Sequence, residues 1–234
     1  MNDNNSRGGQ GMAGIHAYVW IGLVMISLLN VMAHLIAMPT LPERIPVHWG
    51  VDGSADGWGP RWVAPILGAL PLVLLALFYA TPRLDPKGSA YTKSGGFYQG
   101  FVIAFTIFIG AIGWFGELAS WGLLAGRGMV NIIVSGGIGA LLIGMGNYLP
   151  RIRQNCTLGI KTPWTLADTD NWRRTHRFGG VCFMVVGVGI TALGFMSGLL
   201  PESWFLVAVI MLTAGSIAVA YGYSYLIRRK SYNG

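Results

Sequence analysis

The chain has 234 residues, of which 53% are apolar and only 11% charged, with a formal net charge of +7 and a mean hydropathy of +0.54. Soluble domains carry about a quarter charged residues, so this composition excludes an ordinary soluble domain. The positive balance points to membrane flanks rather than to direct nucleic-acid binding, because Lys and Arg collect beside membrane spans in any case.

A polar tail rich in Asn, Gly and Ser occupies residues 1–14 and is expected to be disordered and cytoplasmic. The first apolar run, Ile15 to Ala37, is too long for a signal-peptide core and lacks a small-residue cleavage site, so it is expected to be a retained anchor. Five more runs follow: Trp62 to Ala80, Phe97 to Ala119, Met129 to Leu149, Phe178 to Leu200 and Trp204 to Ile227. Each approaches the roughly 20 residues that a helix needs to cross about 30 Å of hydrocarbon. Lipid offers no partner to backbone N–H and C=O groups, and a helix pairs them within one segment. The predicted fold class is therefore an all-α integral membrane protein, a bundle of six transmembrane helices. Its organisation is expected to be a three-helix half over 15–119, a second half over 120–227 and a basic tail over 228–234.

Between the first two spans, residues 38–61 form a loop of prolines and Asp-Gly pairs, predicted to be an ordered cap. Pro39, Pro42 and Pro46 should hold it extended, and Asp52-Gly53 and Asp56-Gly57 should reverse it. Trp49, Trp58 and Trp62 suit the headgroup layer. Asp52-x-Ser54-x-Asp56-Gly57 imitates the first half of a calcium-binding loop, but its twelfth position is Val63 instead of a bidentate Glu, so turn chemistry is the better reading. His48 with Asp52 or Asp56 has no recognised metal spacing. No metal or cofactor is expected.

Positive charge sets the expected orientation. The tail, the loop after the second span, the loop over 150–177 and the C-terminus hold most of the Lys and Arg residues, whereas only Arg44, Arg61 and Arg127 lie on the opposite side. Both termini and the 150–177 loop should face the cytoplasm. Cys156 in that loop and Cys182 in the fifth span imply no disulfide framework.

Polar residues within the spans converge on the outer half. Ser27, Asn30 and His34 share one helix face, Glu117 lies near the outer end of the third span, and Asn131 opens the fourth. An ionisable residue at membrane depth is a functional candidate by default. We expect an outward-facing pocket of His34, Glu117 and Asn131, roofed by the loop that carries Pro46, His48, Trp49 and Asp52. A solvated Glu117 at the interface is the plainer reading. Gly110, Gly113 and Gly116 in the third span, and Gly136, Ala140 and Gly144 in the fourth, are expected to let helices approach closely.

The segment from Arg151 to His176, RIRQNCTLGIKTPWTLADTDNWRRTH, is the one strongly polar, basic block in the chain. Pro150 ends the fourth helix, Asn155 and Gly159 suit turns, and Pro163 bars a helix before it. Thr165 to Asp168 reads as a capped helix start. From there Trp172, Thr175, His176 and Gly179 share a face, while Arg173, Arg174 and Arg177 point to water or lipid phosphate, as in an interfacial helix entering the fifth span. Trp164 and Trp172 are read either as interface anchors or as part of a docking surface.

These residues carry a family resemblance. Gly146, Asn147, Asn155, Gly159, Ile160, Thr162, Pro163, Trp164, Thr165, Leu166, Trp172, Thr175 and His176 resemble the signature of the SdpI immunity-protein family, with Lys161 where an Arg is usual. Guanidinium geometry is thus lost at that position although the charge survives. The stretch from Leu41 to Trp62 is similar to a module that commonly precedes the signature. The resemblance implies a bacterial inner-membrane protein that protects its cell from a secreted toxic peptide, together with capture of a small cytoplasmic repressor at the bilayer. Mapped onto this chain, His34, Pro46, His48, Trp49, Asp52, Glu117 and Asn131 would meet the toxin. Asn155, Gly159, Lys161, Thr162, Pro163, Trp164, Thr165, Trp172, Thr175 and His176 would bind the repressor. A transporter is the alternative, since polar residues in six spans can line a path, although no inverted repeat is evident. No enzyme is expected, because His16, His34, His48 and His176 are scattered and Thr175 adjoins His176 on one helix instead of facing it.

Overall fold

The computed structural model describes residues 14–93, 96–124 and 128–232, except for the side chains of Glu202 and of residues 230–232. The tail expected over 1–14 lies, through residue 13, outside the described residues, as do Arg7 and Arg127. Six helices are long and apolar enough to cross a membrane. They are α1 (Ala17–Ala37), α2 (Val63–Leu84), the third span made of α4 (Phe97–Gly113) and α5 (Phe115–Ser120), α6 (Met129–Tyr148), α8 (Thr169–Met196) and α9 (Glu202–Tyr232). Short helices α3 (Ser89–Thr92) and α7 (Pro163–Ala167) lie in the connecting loops. Ile21, Ile36, Leu77, Val188, Met211 and Ile217 are all more than half exposed on the flanks of these helices. Apolar surface on that scale would be untenable in water and is what lipid solvates. The chain is a multi-pass membrane protein.

Contacts sort the loops into two ends. The start of α1 meets the start of α4 where Gln99 Oε1 accepts from the His16 N–H, and the end of α9 meets the 151–177 loop. The start of α1 and the end of α9 therefore lie at the end of the bundle that carries this loop. At the opposite end the 38–61 cap contains a two-stranded antiparallel sheet, β1 (Arg44–Trp49) paired with β2 (Ala55–Pro60), a strand pair added to the helical bundle.

The cap's geometry differs from expectation at its second Asp-Gly pair. Asp52-Gly53 does form the turn: Asp52 Oδ1 accepts from the Ser54 N–H at 2.9 Å, and Gly53 has a φ of 76°, where glycine is favoured. Asp56-Gly57 instead lies within β2, with Gly57 opposite His48 at an irregularity in the register. A Cβ on Gly57 would fall 2.7 Å from the His48 Cβ, so close strand approach, rather than a reversal, explains this glycine.

Inside the bundle α6 packs chiefly on α8, and the seam is made of glycines in a seven-residue spacing on both helices. A Cβ on Gly139 would lie 2.6 Å from the Gly187 carbonyl, and one on Gly146 would lie 2.5 Å from that of Gly180. Helix backbones touch here because no side chain intervenes. Gly136, Ala140 and Gly144 do not form this seam. Gly136 and Gly144 would place a Cβ with nothing within 4 Å, and Ala140 and Gly144 line a cleft of about 550 Å³ between α4 and α6.

The fifth span begins earlier than its apolar run. Thr162 caps α7 by accepting from the Thr165 N–H at 3.1 Å while Thr165 Oγ1 accepts from the Thr162 N–H at 2.8 Å, with Pro163 in the first turn. Asp168 then caps α8, accepting from the Asp170 N–H at 2.8 Å. From Thr169 the helix runs unbroken to Met196, short of the expected Leu200.

Candidate functional site

Beneath the cap, α1 and α5 bring His34 and Glu117 together. His34 Nδ1 and Glu117 Oε1 share a hydrogen bond, and both side chains are 0% exposed. Gly68 of α2 makes room, since a Cβ there would collide with the imidazole. Pro71 cannot donate to the Leu67 carbonyl one turn back. Gly113 packs close to that carbonyl, where a Cβ would stand 3.5 Å from it. The third span breaks immediately afterwards, with the Trp114 N–H bonded to the Ala111 carbonyl and α5 starting at Phe115. Trp114 stacks on His34 with centroids 4.1 Å apart and donates through Nε1 to Asn30 Oδ1 at 2.9 Å. Asn30 Nδ2 in turn donates to the Gly68 carbonyl at 2.9 Å.

The cap closes over this pair. Gly116 abuts Pro46, whose carbonyl would be 2.8 Å from a Cβ, and Trp49 meets Phe115 edge-on at 5.9 Å. The expected outward pocket is corrected in three respects. Glu117 and His34 are both fully buried, against the outward-facing pocket and the solvated alternative alike, so neither is accessible from outside. Asn131 donates to the Val51 carbonyl at 2.6 Å, pinning the cap's turn to α6 instead of joining the pair. His48 points away and pairs with exposed Asp56 at 2.5 Å, and Asp52 is engaged with Ser54. Among the described residues no cluster of three metal-ligating side chains forms.

At the other end, the 151–177 loop is held by its own polar side chains. Asn155 Oδ1 accepts from the N–H groups of Thr157 and Leu158, while its Nδ2 donates to the Arg153 carbonyl. Trp172 Nε1 donates to the Ile152 carbonyl at 2.9 Å, and its ring stacks on His176 at 3.9 Å. His176 Nδ1 donates to the Trp172 carbonyl at 2.8 Å, leaving Nε2 to accept from the Ile160 N–H at 3.2 Å, a pairing that requires the neutral ring. Gly159, at a φ of 112°, lets the chain pass over that imidazole. Trp164 Nε1 donates to Ser224 Oγ at 2.6 Å, Asn171 Nδ2 donates to the Ser224 carbonyl, and Thr175 Oγ1 donates to Asn171 Oδ1. The loop is thereby tied to α9.

Burial corrects the expected docking surface. Asn155, Thr162, Thr165, Trp172, Thr175 and His176 are buried, so these side chains shape the loop and cannot touch a partner, whereas Trp164 is half-buried against α9. Lys161, Pro163, Arg173, Arg174 and Arg177 are exposed. Arg173 and Arg174 pair with Asp170 at 3.1 and 2.8 Å, surface pairs worth up to about 1 kcal/mol.

Residues 151–222 match the SdpI/YfhL protein family, and residues 25–75 match a domain of unknown function, DUF1648. Over 203 residues the chain is 26% identical to the immunity protein SdpI of Bacillus subtilis (strain 168), spanning 86% of this chain and 93% of that protein. The 151–222 segment carries the SdpI/YfhL pattern, and the chain as a whole is similar to that immunity protein. The SdpI/YfhL match begins at Arg151, where the self-bonded loop begins, and extends into α9, which the loop grips. The DUF1648 match covers α1 from Met25, the cap and half of α2, and so includes His34 and Gly68 but not Glu117. A second similarity, 30% over 84 residues to a cytosolic glutamine synthetase isozyme of Chlamydomonas reinhardtii, spans 31% of this chain and 22% of that enzyme and supports no activity here. No solved structure gives a significant match.

Sequence reasoning missed Asp85, the link between these two matched regions. Following α2, it is buried and accepts from the Lys87 N–H, Tyr91 Oη, the Cys156 N–H and Thr157 Oγ1. In the sequence it reads only as a turn residue before Pro86. Asn171 and Ser224 were missed for the same reason, since a buried bond between α8 and α9 has no local signature.

Proposed function

We propose that this chain is an SdpI/YfhL-family immunity protein of the bacterial cell membrane that gives resistance to a secreted antimicrobial toxin peptide. The observation that carries this reading is the similarity to a curated immunity protein along nearly the whole of both chains. Orientation follows from charge: the loop end with its Lys and Arg residues faces the cytoplasm and the cap faces outward. The toxin then meets the exposed surface of the cap, where His48, Asp56, Trp58 and Trp62 stand in solvent or headgroup. On the inner side Lys161, Arg173, Arg174 and Arg177 offer a basic surface to a small cytoplasmic repressor. Fully buried family residues hold that surface in shape.

Expression in a bacterium sensitive to the sporulation-delaying class of toxin peptide tests the reading. Cells carrying the chain should survive a challenge that kills vector-only cells, and Trp58→Ala with Trp62→Ala should weaken protection while surface levels stay unchanged. Equal killing of both strains at verified membrane expression would overturn it.

A further inference from the structure

The His34–Glu117 pair lies out of reach of any toxin, so the proposed function leaves it without a role. Two ionisable groups at membrane depth are expensive, and a buried pair offsets that expense only when its remaining lone pairs and protons are also satisfied. Here they are not: His34 Nε2 and Glu117 Oε2 are buried with no hydrogen-bond partner. A pair that served only to hold α1 against α5 would be better replaced by apolar side chains. A cavity of about 200 Å³ lies next to the pair across Trp114 and Asn30, and is lined also by Ser27 and Thr106 among apolar neighbours. The same Trp114 stacks on His34, and Thr106 Oγ1 is buried without a partner. The cavity exceeds the volume of several waters, each about 30 Å³ in the liquid, and the Thr106 hydroxyl is available to hold one.

We propose that His34 and Glu117 form a proton-binding site inside the membrane, holding one exchangeable proton that moves between the pair and water in the cavity beside Trp114. With the proton bound the pair has no net charge, either as imidazolium with carboxylate or as imidazole with carboxylic acid. Release to a cavity water leaves imidazole, carboxylate and hydronium, so charge balances and no other reactant is needed. Among the described residues nothing charged faces the pair from its neighbours: α2 presents Leu67 and Gly68, the third span presents Gly113 and Trp114, and the cap packs on α5 through Ile45 and Pro46. Glu43 and Arg44 of the cap are exposed at the surface, and α1 contributes only Ser27 and Asn30 on this face. The pair is thus set apart from the charged side chains of the cap, and Gly116 beside Glu117 abuts Pro46 of the cap.

Infrared difference spectra of the full chain in phosphatidylcholine vesicles, taken between about pH 5 and about pH 8, read the proton directly. A protonated-carboxyl C=O band that changes across this range in wild type, and is missing from Glu117→Gln, is the expected result. In His34→Gln the band should change over a different proton-concentration range from wild type, because the carboxyl loses its partner in the shared hydrogen bond. The His34 ring ¹⁵N resonances in wild type give a second readout that needs no variant and should shift over the same range. A carboxyl band and ring resonances that stay constant would make the pair a fixed contact and overturn the proposal. Protection of cells is a separate outcome, so the immunity reading and this one can fail independently.

Discussion

Thr157 Oγ1 donates to Asp85 Oδ2 across 2.8 Å, joining the turn after α2 to the loop after α6. The same carboxylate accepts from Tyr91 Oη at 3.1 Å and the Cys156 N–H at 3.0 Å. Burial pushes the Asp85 carboxyl up, yet the hydrogen bonds from Lys87, Thr157, Tyr91 and Cys156 outweigh it and hold the group below the ordinary carboxylate range. Burial, with the Asp85 charge beside it, pushes the Tyr91 phenol up to about 12.

Asp85→Asn should lower stability by about 1.5–3 kcal/mol, the scale of hydrogen bonds to a charged group, read as a lower thermal midpoint in detergent. The pH dependence follows from the two shifts. A carboxyl lowered in the folded state contributes stability that is complete above its unfolded value of about 3.9 and is lost as pH falls through the lowered value. A phenol raised in the folded state contributes stability that is complete below its unfolded value of about 10 and is lost as pH climbs toward about 12. Wild type should lose stability at both extremes, and Asp85→Asn should flatten the acid limb. An unchanged acid limb would show that the carboxylate is not the group responsible.

Gly146→Ala and Gly144→Ala should behave oppositely although they are two residues apart on α6. At Gly146 the new Cβ would lie 2.5 Å from the Gly180 carbonyl and 2.9 Å from the Met184 N, whereas at Gly144 it meets nothing within 4 Å. Overpacking the seam should cost about 1–3 kcal/mol and lower the yield of folded protein. The Gly144 variant should match wild type in a size-exclusion profile and thermal midpoint.

Helix periodicity and apolar length made the six spans legible, because lipid demands both within one segment. The seam glycines were not legible as such: α6 carries small residues on more than one face, and only the position of α8 decides which of them touch. Depth singled out His34 and Glu117 as candidates, being ionisable residues near the outer ends of their spans, whereas the bond between them and the burial that the cap imposes were not legible. The 151–177 loop was legible as a motif but not as a network. Trp172 is bonded to the Ile152 carbonyl of the loop's own backbone, and Trp164 and Asn171 to Ser224 of α9, pairings that sequence spacing does not encode.

Gly159→Ala should disrupt that network for two independent reasons. Its φ of 112° is strained for any residue with a Cβ, and the Cβ itself would collide with His176 Nε2. Strain of this kind costs on the order of 1–3 kcal/mol, and displacement of His176 would add the loss of its bond from Ile160. Limited proteolysis should cut the variant's loop near Thr157 to Lys161 faster than that of wild type, with the membrane spans still protected. Equal cutting rates would mean that the loop accommodates the change.

Membrane potential, followed with a voltage-sensitive dye in sensitive cells during exposure to the toxin peptide, tests the claim of immunity most directly. Cells that express the chain should hold their potential while vector-only cells depolarise, and Trp58→Ala with Trp62→Ala should depolarise at an intermediate rate. Depolarisation of expressing cells at the same rate as vector-only cells, with the protein shown to be in the membrane, would contradict the account.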